Sequence, residues 1–258
     1  MKISIITINK DNCQGLIKTS ESVLSQGYKN FEYIVIDGNS SDGSRNYIES
    51  ISDKINYWVS EPDTGIYPAM NKGIAVAQGD YLLFLNSADS LHKVSTLEEI
   101  DQHFDGTDLI VGVTNYLRTN GQSYLSEFTN NMNYLIKASL PHQSTFIRRE
   151  LLLDGYDEAL SICADWKFFL EAICIKKCSV KAISDIVTQF DATGISSDPK
   201  NYERIDEEKT EVLWDLFRYD FKEWRIDDTR KKTADYYESL VVMKLYFKLN
   251  SLFRKLRT

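Results

Sequence analysis

The first hydrophobic run, residues 3–8 (ISIITI), is short, apolar and β-branched, which predicts a buried strand. Residues 12–26 place Leu16, Thr19, Val23 and Leu24 at helical spacing. A second apolar run, FEYIVI at 31–36, stops at Asp37-Gly38-Asn39-Ser40-Ser41-Asp42-Gly43, a dense cluster of turn residues. The pattern then predicts a helix over 43–51, a short strand at 57–59, a helix over 65–77 and a strand over 81–85. Strands that alternate with helices argue for βαβ units and a mostly parallel sheet. Parallel strands are covered on both faces, so they read as continuous runs such as YIVI and YLLFL. Ligands of such sheets bind beyond the carboxyl ends of the strands. Thr7 and Asn9 close the first strand, Asp37 the second, and Asn86-Ser87-Ala88-Asp89 a later one. Three strand ends therefore offer polar groups to one crevice.

After about residue 105 the pattern changes. Residues 109–113, 116–118 and 123–125 read as strands around a turn at Asn120-Gly121, and 144–148 as another strand. Residues 164–176 predict an amphipathic helix that starts at Asp165. From about 200 the chain is helical and charged, with Trp214, Phe217, Tyr236, Leu240, Met243, Phe247 and Leu252 as apolar contacts. No internal repeat, low-complexity tract or interdomain linker is visible.

The 258 residues, 43% hydrophobic and 26% charged, suit a soluble globular protein of one sizeable α/β domain or a domain plus an appendage. A formal net charge of -8 gives no global attraction to nucleic acid. Cys13, Cys163, Cys174 and Cys178 and the histidines His92, His103 and His142 do not fall at zinc-ligand spacing, so buried or incidental thiols are expected. The opening MKISIITINK is too short an apolar run for a signal peptide, and no stretch of about 18 apolar residues predicts a membrane span. A cytoplasmic protein with reduced thiols is expected.

Four positions offer chemistry, each beside a plainer alternative. Asp37 can accept a base imino N–H or a ribose hydroxyl, or can brace a turn. Asp89 can hold a hard cation such as Mg²⁺ or Mn²⁺, which takes one or two carboxylates plus substrate phosphates; otherwise Asp89 or Ser90 caps a following helix. Lys72, in the loop-helix segment 61–73 (EPDTGIYPAMNKG), can meet a nucleotide, or remain a solvated lysine; Pro68 fits only in a first helical turn. Asp165 can act as a general base toward an acceptor hydroxyl, or as a first-turn acid complementing the helix dipole. His142, just before a strand, can touch a phosphate or the acceptor, or serve structurally.

None of these is specific alone, but their order is. Asp37, the segment SEPDTGIYPAMNKG, the LNSAD motif and PHQSTFIRR followed by GYDEALSICADWKFFL together resemble the inverting family 2 glycosyltransferases of bacterial polysaccharide synthesis, over roughly residues 1–190. The resemblance implies the GT-A fold: a Rossmann-like, mostly parallel central sheet flanked by helices, here with a helical C-terminal extension. It implies a catalytic domain over 1–195, with a nucleotide half to about 105 and an acceptor half from 106, and an extension over 196–258. It assigns nucleotide contacts to Thr7, Asn9, Asp37, Lys72, Asn86, Ser87 and Ala88, a Mg²⁺ or Mn²⁺ ligand to Asp89, and the catalytic base to Asp165. The implied donor is a UDP-, GDP- or dTDP-sugar and the implied acceptor a glycan or lipid-linked sugar. Two departures stand out. Asn86 and Ala88 occupy positions where many members carry aspartate, and Pro68 replaces an aspartate common in relatives.

A non-catalytic nucleotide- or glycan-binding member is the rival reading, motivated by those departures. A dinucleotide enzyme is disfavoured because Asn9-Lys10-Asp11-Asn12, not G-x-G-x-x-G, follows the first strand. At the C-terminus, Lys244, Lys248, Arg254, Lys255 and Arg257 alternate with apolar residues. Such a basic amphipathic helix predicts peripheral contact with the inner face of the cell membrane, or else packing on its own domain or on a second copy in a homo-oligomer.

Overall fold

A computed structural model describes residues 1–117, 123–126, 128, 132–191 and 198–224. The first half is built as the periodicity predicts. Strands β1 (Ile3–Asn9), β2 (Phe31–Asp37), β3 (Tyr57–Ser60) and β4 (Tyr81–Phe84) alternate with helices α1 (Cys13–Leu24), α2 (Ser44–Ser50) and α3 (Ile66–Val76). The four strands are mutually parallel in the order β3-β2-β1-β4. Asn12 starts α1 by accepting the Gly15 N–H at 3.0 Å.

The sheet is buried on both faces, and residue parity decides which core each side chain joins. Ile3, Ile5, Tyr33, Val35, Tyr81 and Leu83 pack with Leu16, Val23 and Ile48 of α1 and α2. Ile6, Ile34, Ile36, Leu82 and Phe84 pack with Met70 and Ile74 of α3 on the other face. Each such aliphatic side chain contributes about 1.5–3 kcal/mol on full burial.

The second half differs from expectation in several elements. No helix follows Asp89 directly. A two-stranded-pair stub, β5 (Ser90–Leu91), comes first, and α4 (Thr96–Asp101) starts only after Ser95. Residues read as two strands form one, β6 (Leu109–Leu117), which turns back into β7 (Ser123–Leu125); Asn120-Gly121 lies outside the described residues. A short α5 (Met132–Lys137) precedes β8 (Thr145–Arg148). The predicted helix at 164 begins as α6 (Ala164–Leu170) and continues as a π-turn to Ile175.

Strand β9 (Val180–Asp191) was not visible in the pattern. It pairs parallel with β6, and the register shifts between Val111, Val113 and Thr114. Those irregularities break the period of two on which strand recognition rests. The full path is β3-β2-β1-β4-β8-β6-β9-β5, with antiparallel β8 joining the two parallel groups.

Helix α7 (Tyr202–Trp224) confirms a helical segment after residue 200. Its Val212, Leu213 and Phe217 enter the core that holds Trp166, Phe168 and Phe169. Trp214, expected as an apolar contact, is 56% exposed, on the face of α7 opposite Val212, Leu213 and Phe217. Tyr236 to Leu252 and the basic stretch 244–258 lie outside the described residues. No helix among the described residues is long and apolar enough to cross a membrane.

Candidate active site

Register brings the first group together. Asn9 pairs with Asp37 and Asp37 with Ser60 across β1, β2 and β3, so the three side chains stand in a row at the carboxyl end of the sheet. The fully buried Asp37 carboxylate accepts from Asn9 Nδ2 at 2.7 Å and Ser40 Oγ at 2.6 Å on Oδ1. On Oδ2 it accepts from the Ser40 backbone N–H at 3.0 Å and Ser60 Oγ at 2.6 Å. Burial pushes this carboxyl up, but the hydrogen bonds from Ser40, Ser60 and Asn9 outweigh it and hold Asp37 below the usual carboxylate range. Asp37 is therefore ionised at neutral pH.

Asn9 passes the network to the end of β4, where Ser87 Oγ donates to Asn9 Oδ1 at 2.8 Å. The turn 86–89 is pinned by α1. Thr19 Oγ1 lies 2.6 Å from the Asp89 carbonyl and 3.1 Å from the Ala88 N–H, and Lys18 Nζ donates to the Ala88 carbonyl at 2.6 Å. These bonds hold Ala88 at φ +87, a region that costs a non-glycine residue of order 1–3 kcal/mol. Asn86 Oδ1 is buried and accepts no hydrogen bond. Asp89 is buried one residue beyond the strained alanine.

Thr7 does not reach this crevice. It shares a face with Asn9 but lies two residues inside the strand end, where it is fully buried, donating to the Leu85 carbonyl at 2.7 Å and accepting from Tyr33 Oη at 3.2 Å. Lys72 is engaged by its own loop, in ion pairs with Asp63 and with Glu61 at 2.7 Å. Asp63, with a side chain only 9% exposed, keeps its second oxygen unpartnered, 3.5 Å from where a Cβ on Gly38 would stand. Pro68 sits in the first turn of α3, where its missing N–H breaks no helical bond.

Asp165 lies in the first turn of α6, and Tyr67, buried at the start of α3, reaches it across 98 residues. The Tyr67 hydroxyl is 2.8 Å from Asp165 Oδ1 and 2.6 Å from the Ile162 carbonyl, two acceptors for one proton. Burial, then the Asp165 charge, pushes the Tyr67 phenol well above its ordinary range, so it remains a donor. His142 stands beneath, its ring stacked on Phe84 at 4.8 Å and Nε2 2.9 Å from Tyr156 Oη. Burial lowers the His142 pKa against an opposing pull from Asp165, so the ring is neutral at pH 7.

Sequence reasoning missed Tyr67 and Asp63, although both lie in the segment it singled out. Nothing local marks them: the contact to Asp165 and the orphaned oxygen exist only after folding. As to a metal, the described residues contain no group of three or more His, Cys, Asp or Glu that could hold one. One carboxylate, Asp89, and the free oxygen of Asn86 share a single turn. That donor set fits Mg²⁺ or Mn²⁺ whose other ligands are phosphate oxygens and water, and does not fit a cation held by protein alone.

The chain matches the family described as glycosyl transferase family 2 over residues 3–176. It is 34% identical over 218 residues to an uncharacterised glycosyltransferase of Mycobacterium tuberculosis, covering 76% of this chain and 77% of that one. A PGL/p-HBAD biosynthesis glycosyltransferase of Mycobacterium bovis is 30% identical over 162 residues, 57% of this chain and 60% of that one. Among solved structures, Staphylococcus aureus TarS 1–349 in complex with UDP-GlcNAc superposes with a TM-score of 0.65 at 20% identity, covering 83% of this chain and 67% of that one. The mannosyltransferase PcManGT of Pyrobaculum calidifontis, in complex with GDP-Man and Mn²⁺, gives 0.61 at 16% identity, covering 84% and 64%. These likenesses establish the GT-A fold, and together with the family match they carry one conclusion: the chain belongs to glycosyl transferase family 2.

Proposed function

We propose that this chain moves a sugar from a nucleotide-diphosphate-sugar onto a hydroxyl of a glycan or lipid-linked acceptor, with inversion, in the building of a cell-surface polysaccharide. The observation that carries the proposal is the hydrogen-bonded chain Ser60–Asp37–Asn9–Ser87, which ties four parallel strand ends into one polar floor. The free oxygen of Asp63 beside Gly38 suits a base imino N–H or a ribose hydroxyl. Lys72 holds that carboxylate in place. Asn86 and Asp89 face the diphosphate. A Mg²⁺ or Mn²⁺ bound there would neutralise charge on the leaving group. The bound UDP-GlcNAc and the GDP-Man with Mn²⁺ in the two solved relatives support this reading.

The reaction is a single displacement. The acceptor oxygen forms a bond to the anomeric carbon, the bond from that carbon to the diphosphate oxygen breaks, and the acceptor proton passes to Asp165. Tyr67 fixes one oxygen of Asp165, which restricts the carboxylate to one orientation. Holding donor and acceptor together in the site contributes several kcal/mol, about 7–11 at most.

The test has two arms. Thermal shift with UDP-, GDP-, dTDP- and CMP-sugars, each with and without Mn²⁺ or Mg²⁺, identifies the donor by the rise in melting temperature. Asp165→Asn should then retain donor binding and lose about 10²–10⁴-fold in turnover. Full turnover in that variant would falsify the assignment of the base. No stabilisation by any nucleotide would favour the non-catalytic reading, which Ala88 and Pro68 motivate.

A further inference from the structure

Helix α7 lies beyond the part of the chain that matches the family, yet it places a buried acid against the active-site loop. Glu208, whose side chain is only 3% exposed, accepts three successive backbone N–H groups. Ser161 N is 2.8 Å from Oε1, and Ile162 N and Cys163 N are each 3.0 Å from Oε2. Arg204, one turn earlier on α7, closes the outer side with Nε 2.9 Å from Oε1. Burial alone would push the carboxyl up, but these four donors hold it below the ordinary range, so it is a buried anion.

What hangs on those three amides makes this more than packing. Cys163 is the cap residue of α6, its side chain makes no capping bond, and Glu208 accepts its backbone N–H. Ile162 presents the carbonyl that competes with Asp165 for the Tyr67 hydroxyl. Asp165 follows three residues after Ile162. One carboxylate therefore fixes both acceptors between which Tyr67 divides its proton. The neighbouring residue, Lys209, lays its Nζ 5.0 Å from the centroid of the Trp166 ring, a second contact between α7 and α6 beside Glu208.

We propose that Glu208 is a positioning residue for the catalytic base: it sets the orientation of Asp165 and Tyr67 through the backbone of residues 161–163. The inference rests on the assignment of Asp165 given above. Glu208 touches neither donor nor acceptor; it acts through the loop. A family 2 domain cut at residue 176 would lack this anchor.

Glu208→Gln is the first variant. An amide in place of the carboxylate sets an N–H₂ against at least one of the three backbone donors, and those donors cannot turn away. The assay follows nucleoside diphosphate release from the donor that the thermal-shift panel identifies, with water or a short oligosaccharide as acceptor. The expected result is a fall in kcat of about 10-fold or more, with donor KM and donor binding within about 2-fold of the parent. Because Glu208 works through Asp165, the double variant Asp165→Asn/Glu208→Gln should be no slower than Asp165→Asn alone. Hydrogen exchange at residues 161–163 should accelerate in Glu208→Gln and stay unchanged in Asp165→Asn. If Glu208→Gln does not fold, Glu208→Asp keeps the charge at a shorter reach and should show the same loss confined to kcat. The inference is overturned if Glu208→Gln keeps the parent kcat, if its loss falls on donor KM, or if the two losses multiply in the double variant. Full activity of Asp165→Asn would instead overturn the base assignment, so the two failures are distinguishable.

Discussion

Replacing Asp37 with asparagine changes one atom and tests whether the strand-end floor is held by charge. Each carboxylate oxygen takes two donors: Oδ1 from Asn9 and the Ser40 hydroxyl, Oδ2 from the Ser40 backbone and Ser60. An asparagine must turn its N–H₂ toward one of these pairs. The serine hydroxyls can rotate and accept instead. The Ser40 N–H cannot, and Asn9 cannot flip its amide without losing the Ser87 hydroxyl bonded to its oxygen. Either orientation therefore sets one immovable donor against another. One hydrogen bond to a charged group is lost, worth about 1.5–3 kcal/mol, and a buried donor is left unsatisfied at about 1–3 kcal/mol. With partial relaxation the expected cost is roughly 3 kcal/mol, or about 6–12 °C in Tm for a chain of this size.

The same argument fixes the pH dependence. Asp37 has a folded pKa below its unfolded value of about 3.9, so its ionised form stabilises the fold above that pH, and the contribution is lost as pH falls through the folded pKa. Urea unfolding of parent and Asp37→Asn followed by circular dichroism should show a gap that is constant from pH 8 to about 5 and shrinks below about pH 4. A gap under about 0.5 kcal/mol at pH 7, or one that does not narrow in acid, refutes the account.

Three further outcomes are expected. Ala88→Gly relieves the positive φ and should raise stability by about 1 kcal/mol, read as a Tm increase of about 2–4 °C; a decrease would mean that the alanine methyl is worth more than the strain. Gly79→Ala should destabilise by more than about 2 kcal/mol or abolish folding, since a Cβ there would meet the Ser4 backbone nitrogen at 2.5 Å, and soluble yield and urea midpoint report it. His142 has a folded pKa below its unfolded value of about 6.5, so the unfolded chain takes up the proton first and stability falls as pH drops below about 6.5; His142→Gln should flatten that limb in urea titrations between pH 7 and 5.

The early chain was legible because its local and global signals agree. Runs such as FEYIVI followed by a turn cluster leave few alternatives, and a strand buried on both faces has no polar phase to misread. The end of each strand is then known to within a residue, which is why Asn9, Asp37 and Ser87 were found from spacing alone and do meet in the fold. The same reasoning put Thr7 in the crevice, because spacing along a strand says that Thr7 shares a face with Asn9 but not how far toward the strand end the covering helices reach. Asp165 was found as a first-turn acid, a local feature.

What only the tertiary structure decided is everything that depends on pairing across long sequence separations. Strand β9 carries the extra residues, advancing from Ala182 to Ile186 while β6 advances from Val111 to Val113, so its own period of two is broken and its register is set only against its partner. Tyr67 becomes a partner of Asp165 through the docking of α3 against α6, and Asp63 becomes an orphaned acceptor only where the loop folds over Gly38. Glu208 reads in the sequence as one more charge on a polar helix, in an Arg204–Glu208 pair at helical spacing. It is a buried anion because three amides from a loop 45–47 residues earlier converge on it. Hydrophobic period is a property of neighbours along the chain, and it fixed the elements. Hydrogen-bond partners of buried polar groups are a property of neighbours in space, and no local pattern contains them.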